Sequence, residues 1–278
     1  MKDKASTNDP GDRVAYAKTM RADHAEAFEI TDELIGLGEA FLRTVDVHRD
    51  DGLAIVKGTI LLRLISGLEA LSLLVSYGYY SEALGQKRSL LEALARLAAL
   101  SKDPSLFDEY LMQDQLNRLK IIDDIIESRR SWPADMPRIP PDDELLSKRR
   151  EIEAHIDEYN KSAPRKLRDI KTFDWAAKGK VDHLFLGHYT ISSQALHHAP
   201  RDMERRLVIV DDKLLGISVG PEAGDVETLL LDSCKLVFVG LQWFAESIGL
   251  EVPAEIHALY ERHQQICERL AAEAMGTP

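Results

Sequence analysis

The stretch Gly52–Tyr77, GLAIVKGTILLRLISGLEALSLLVSY, constrains this chain more than any other. Placed on a helical wheel, its apolar residues do not keep to one side. Leu61, Leu62, Leu68, Leu71, Leu73, Leu74 and Val75 between them point in nearly every direction. A helix that is apolar all round is expected to be buried on all sides. The stretch is also nearly long enough to cross a bilayer, but it carries Lys57, Arg63 and Glu69. A charge at mid-depth costs about 3 kcal/mol or more, which favours a soluble core helix over a membrane span. Other helices are then expected to pack around this rod.

The rest of the chain supports that view. Residues 1–12 read as a polar, disordered arm, and residues 13–278 as a single helical domain. From Arg13 to about His48 the apolar residues recur at helical spacing, with Gly36 and Gly38 marking close contact to a neighbour. Gly78 is placed to stop the central helix, and Ser81 to cap the next one, Glu82 to Leu100. The short turn between them makes an antiparallel hairpin. Asp103-Pro104 restarts the chain as N-cap and first helical residue, and the helix runs to about Arg130. SWPADMPRIPPDD follows, a surface loop rich in proline. Helices are then expected over Asp143–Tyr159, Thr172–Trp175, Val181–His198, Asp225–Ile248 and from Pro253 to about Ala274. One segment departs from this style. In Arg206–Val219, β-branched residues flank Asp211-Asp212, which predicts a small β-hairpin. The fold class is therefore all-α: one bundle of about eight helices with a β-hairpin insertion near residues 206–219.

Leucine and alanine dominate while aromatic residues make up only 6%, which suits helix packing better than a β-sandwich. The net charge of −12 repels nucleic acid on average, so nucleic acid is not expected as a partner. Cys234 and Cys267 lie far apart and in no CxxC pattern, which excludes a disulfide framework and a four-cysteine metal site. The polar N-terminus carries no apolar signal segment, and a cytoplasmic protein without a membrane partner is expected.

Two helices carry the residues with chemical potential. On Glu82–Leu100, Arg88, Glu92 and Arg96 share one face with Ser81. They form either a solvated salt-bridge ladder or the wall of a polar cavity. On Val181–His198, Tyr189, Ser193 and His197 fall on one face at i, i+4 and i+8. His183, His188 and His198 are close in sequence, but no two of these histidines are four apart and no HExxH is present. No metal and no cofactor is expected. Ser193 and His197 form a nucleophile and base only with an oxyanion donor, and no nucleophile elbow is legible.

Three features occur in a telling order: Arg88-Ser-Leu-Leu-Glu92 on an early helix, Trp175 in a short one, and Tyr189-Thr-Ile-Ser-Ser-Gln-Ala-Leu-His197-His198 before Pro200. This arrangement resembles an uncharacterised bacterial all-helical family, domain of unknown function 5677, over roughly Leu53 to Leu250. The family brings no established activity. The resemblance implies that Arg88, Glu92, Tyr189, Ser193 and His197 come together between helices, with Ser192 and His198 as the alternative register. A second resemblance, to helical-bundle ribonucleases of the HEPN type, rests on Arg followed at four to six residues by His. Arg43 with His48, and Arg149 or Arg150 with His155, fit that spacing. A motif this short arises by accident on the order of twice in such a chain.

The function expected from these features is a helical module that binds a partner or small ligand through a polar cluster or pocket between helices. The alternative is an RNA-cleaving HEPN-like enzyme, as found in phage defence. Ligand and partner stay unassigned, and a homodimer is left open.

Overall fold

The computed structural model describes residues 10–133, 135–137, 139–163, 165–185, 188–196, 204–210, 213–218, 220–222 and 224–276. Its elements are α1 (Pro10–Asp23), α2 (Ala25–Thr44), α3 (Gly52–Ser76), α4 (Tyr80–Lys102), α5 (Phe107–Ser128), α6 (Asp142–Ser162), α7 (Thr172–Lys178), α8 (Asp182–Phe185), α9 (His188–Leu196), β1 (Leu207–Val210), β2 (Lys213–Ile217), α10 (Val226–Ser247) and α11 (Ala254–Ala274). The fold is all-α with a small two-stranded insertion. Of the arm expected over residues 1–12, residues 1–9 lie outside the described residues, and Pro10 opens α1. The helix expected from Arg13 to His48 is two helices that meet at His24, whose ring lies 3.1 Å from Glu227. The chain divides into two compact units, Met1–Lys102 with Ala176–Pro278, and Asp103–Trp175, a division absent from the sequence reading.

In the first unit α3, α4 and α10 pack on one another; α2 lies against α3 and α10, α11 against α2 and α10, and α9 against α4. The Asp51 carboxylate caps α3 by accepting from the Ala54 amide at 2.9 Å. Gly78 ends the turn after α3 with φ at +75°, a conformation that only glycine adopts without strain. Leu61, Leu64, Ile65, Leu68 and Leu71 of α3 are fully buried, as are Leu94 and Leu97 of α4 and Leu230, Leu241 and Phe244 of α10. Each such side chain contributes about 1.5–3 kcal/mol through removal from water. Lys57 is buried too, and its ammonium donates to the Ser247 hydroxyl at 2.8 Å and to the Ser247 carbonyl at 3.2 Å. Of the two glycines expected to mark close contact, Gly38 does: a Cβ there would sit 3.0 Å from Ile65 Cδ1, whereas Gly36 faces open space.

One expectation fails. α3 is a continuous helix but is not buried on all sides. Ile55, Thr59, Leu62, Arg63, Ser66, Glu69 and Leu73 form an exposed stripe along its length, with Leu62 50% and Leu73 54% exposed. The polar residues of α3 lie mainly on this stripe, so the wheel holds a solvent side that its exposed leucines disguise. α3 and α10 are both long and apolar enough to cross a membrane by length and composition; about half of the α3 span and two thirds of the α10 span are buried by protein.

The second unit is built differently. α5 and α6 form a hairpin around Ile122, Leu145 and Ile152, with Leu119, Ile125, Ile126 and Ile156 packed alongside. Its outer surface is a lattice of exposed ion pairs, including Arg149 with Asp123 and Glu153 and Arg118 with Asp114. The buried Arg129 ties down the proline-rich loop, donating at 2.7 Å to both the Pro140 carbonyl and the Asp142 carboxylate. Gln113 holds the returning strand of chain at both ends, donating to the Arg168 carbonyl and accepting from the Ile170 amide.

The β-hairpin forms where expected, with β1 antiparallel to β2. Its root is fixed by Arg206, which pairs with Glu222 at 2.6 Å and donates to the Gly220 carbonyl at 2.8 Å. The same Glu222 carboxylate accepts from the Ser81 amide at 2.8 Å. Ser81 is thus not the cap of α4: the helix begins at Tyr80, and a buried carboxylate from far along the chain satisfies one of its first amides.

Candidate functional site

The packing of α9 on α4 brings four of the expected residues together. α4 presents Arg88, Glu92 and Arg96 at successive turns, and α9 answers with Tyr189 and Ser193, also one turn apart. Arg88 Nε donates to Glu92 Oε1 at 3.0 Å, and Arg88 Nη1 donates to the Ser193 hydroxyl at 3.1 Å. The Tyr189 hydroxyl donates to the same Glu92 Oε1 at 3.2 Å. The Arg88 guanidinium also lies over the Tyr189 ring, 4.9 Å from its centre, a cation–π contact. Arg96 approaches Glu92 from the other side, donating to its backbone carbonyl at 2.9 Å with the guanidinium 3.9 Å from Oε2. Phe185 of α8 packs against Tyr189, with ring centres 5.5 Å apart, and holds the phenol in place.

For the two serines of α9 the register question has an answer. Ser192 is buried, whereas the partly exposed Ser193 reaches Arg88. His197 and His198 lie outside the described residues. Of the helix expected over Val181–His198, the described residues show α8 and α9.

A second group, which the sequence reading does not assemble, lies one residue round the same two helices. Lys87 is nearly buried and donates to Asp232 of α10 at 2.8 Å. His188 Nδ1 lies 3.4 Å from the Lys87 ammonium and 3.6 Å from the Asp232 carboxylate. Burial first, and the Lys87 charge second, push the His188 pKa down. An ammonium only donates, so Nδ1 accepts from Lys87 and Nε2 carries the proton when the ring is neutral. The available signal was adjacency: Lys87 precedes Arg88 as His188 precedes Tyr189, so if one pair meets, the other is brought close. Asp232 had no such signal.

The two groups differ in balance. Lys87 and Asp232 neutralise each other. Around Glu92, two guanidiniums meet one carboxylate, and all three are partly open to solvent: 21% for Arg88, 27% for Glu92 and 32% for Arg96. Among the described residues this is a local positive excess on a chain of net charge −12.

Other candidates are quieter. Among the described residues no three of His, Cys, Asp and Glu converge in a way that could hold a metal ion. Burial pushes the Cys234 thiol up to about 12, and Cys267 is raised in the same direction, so neither is a ready thiolate. Arg43 is exposed and pairs with Glu39, and His48 is exposed beside Asp50. Arg149 is engaged by Asp123 and Glu153, and His155 is exposed.

The decisive comparison is a family match over residues 54–214, more than half of the chain. The chain belongs to DUF5677, a family of unknown function. No curated protein and no solved structure matches it. The DUF5677 region covers α3 from Ala54 onward, α4 and α9, and hence Arg88, Glu92, Arg96, Tyr189 and Ser193. Asp232, the partner of Lys87, lies beyond it.

Proposed function

We propose that this chain is a helical binding module whose α4–α9 face takes up an anionic group, from a small ligand or from an acidic side chain of a partner. The observation that carries the reading is the charge imbalance at Glu92. Arg88 and Arg96 both converge on one carboxylate, and none of the three is sealed from water. An incoming carboxylate or phosphate finds two guanidiniums already oriented, with the Tyr189 and Ser193 hydroxyls beside them. Arginine is suited to this because its planar fork matches such anions in a bidentate manner. The site needs little reorganisation, since Glu92 and the Tyr189 ring already hold Arg88 in place.

Thermal denaturation in the presence of inorganic phosphate, dicarboxylates and nucleotides tests this. Binding to the folded state raises the midpoint, by an amount equivalent to about 2.7 kcal/mol at a hundredfold excess over Kd. The double variant R88M/R96M is expected to lose the shift, and Glu92→Gln to keep or strengthen it. A panel without any shift, or a shift that survives in R88M/R96M, defeats the reading.

A further inference from the structure

α10 runs into α11 through a turn that holds Val252, and beside that turn the two helices border a cavity of about 440 Å³. That is the size of a small-molecule site. Its floor is apolar, with Phe238 and Ile256 both buried. Trp243 and Tyr260 line it half-buried, and its mouth carries the exposed Gln242 and His257. This lining departs from the rest of the chain. Leucine fills the core elsewhere, yet no leucine lines the cavity. Aromatic residues make up 6% of the chain, yet Phe238, Trp243 and Tyr260 are three of the eight residues that line it. Close-packed interiors leave few voids larger than a water molecule, so three rings set around unfilled space serve an occupant better than they serve packing.

The rings are held before anything binds. Tyr260 stands edge-on to Phe238, with ring centres 5.2 Å apart, and lies within 12° of parallel to the buried His263 ring. Trp243 is covered by the Lys102 ammonium, 4.9 Å from the ring centre, and that ammonium is anchored on the Gly179 carbonyl. A preformed site loses little freedom on binding. The polar groups at the mouth have capacity to spare. Gln242 donates to Glu246 at 2.5 Å, and its amide oxygen has no partner among the described residues. The Tyr260 hydroxyl accepts from Gln264 at 3.1 Å and keeps its own proton to donate. No carboxylate, ammonium or guanidinium lines the cavity.

We propose that this cavity binds a neutral, planar aromatic small molecule that carries an amide-like hydrogen-bonding edge. The rings select a flat occupant, because aromatic pairs gain from offset-stacked and edge-to-face geometries that a puckered ring of similar volume cannot adopt. The uncharged lining selects a neutral one, because a carboxylate or ammonium brought inside would lose water without gaining a charged partner. At the mouth, the Gln242 oxygen and the Tyr260 hydroxyl can meet a donor and an acceptor on one edge of the ligand. The cavity shares no residue with the α4–α9 face, and its lining, residues 238–260, lies beyond the region matched by DUF5677.

Ligand-detected nuclear magnetic resonance titrations of the full chain with 2-naphthamide, 2-naphthoate and decahydronaphthalene-2-carboxamide are the test. The second probe keeps the shape of the first and adds a charge; the third keeps the amide and loses planarity. The probes are compared in R88M/R96M, so that 2-naphthoate gains nothing from the α4–α9 face. There 2-naphthamide is expected to bind at least tenfold more tightly than either of the others. V252W, which fills the cavity, is expected to abolish that binding with the far-ultraviolet spectrum unchanged. W243L removes a ring without filling the space; it is expected to weaken 2-naphthamide more than the decahydronaphthalene amide, and it decides alone if V252W does not fold. No binding of 2-naphthamide overturns the proposal. So does a preference of less than tenfold over either probe, or binding that either folded variant leaves unchanged.

Discussion

The two sides of α4 are put together on opposite principles. Where α4 meets α3, contact is apolar and close: Gly67 of α3 leaves room for Leu90. A Cβ on Gly67 would lie 2.6 Å from Leu90 Cδ2, so a larger residue there would force the Leu90 side chain to move. Where α4 meets α9, the contact consists of Lys87, Arg88, Glu92, His188, Tyr189 and Ser193. The first side excludes water and stabilises the fold. The second keeps charges partly wet, and polar networks of this kind are often matched in stability by apolar residues of similar shape. A polar side where leucine would serve stability as well fits the binding role proposed above.

The contrast can be broken most forcefully on the apolar side. Leu68 is fully buried in α3, and Leu68→Ala is expected to lower stability by about 2–5 kcal/mol, read from urea denaturation midpoints. A loss near that of a surface substitution would show that α3 is not central.

On the polar side the effect is expected to be smaller. Glu92→Ala leaves the Arg88 and Arg96 guanidiniums without their shared carboxylate, yet both retain access to water. The expected loss is about 1–3 kcal/mol. A change below about 0.5 kcal/mol would mean that Glu92 belongs to a solvated ladder instead.

Acid should sharpen the difference further. Burial lowers the pKa of both His188 on the polar side and His263, whose Nε2 lies 2.9 Å from the Leu231 carbonyl between α10 and α11. The unfolded chain takes up protons on these rings before the folded chain does. Stability is therefore expected to fall as pH drops below about 6.5, the ordinary imidazole value. H263Q should flatten that slope in denaturant titrations at pH 5 to 7; a slope unchanged in H263Q would place its origin elsewhere.

How far these features could be read from residues alone varies with the physics behind each. The helices around α3 and the β-hairpin follow from periodicity and β-branching, which are local properties. The exposed side of α3 escaped notice because Leu62 and Leu73 sit among its polar residues, and a wheel registers hydrophobicity rather than burial. The cap of α4 escaped notice because Glu222 is supplied from a remote part of the chain. Arg88 with Glu92, and Tyr189 with Ser193, were legible as one-turn pairs, and the family resemblance supplied their meeting. Lys87 with Asp232 depends on α10 docking beside both helices, which no spacing announces. The separate unit that holds α5 and α6 is likewise a property of the folded chain alone.

The central claim is that the α4–α9 side chains act as one site. A double-mutant cycle on Glu92→Gln and Tyr189→Phe addresses it most directly, because each change preserves shape while removing one end of the 3.2 Å hydrogen bond. The two changes are expected to be non-additive in urea denaturation, with a coupling of at least about 0.5 kcal/mol. Losses that add to within about 0.3 kcal/mol would mean that the two residues are neighbours without being partners, and would contradict the claim.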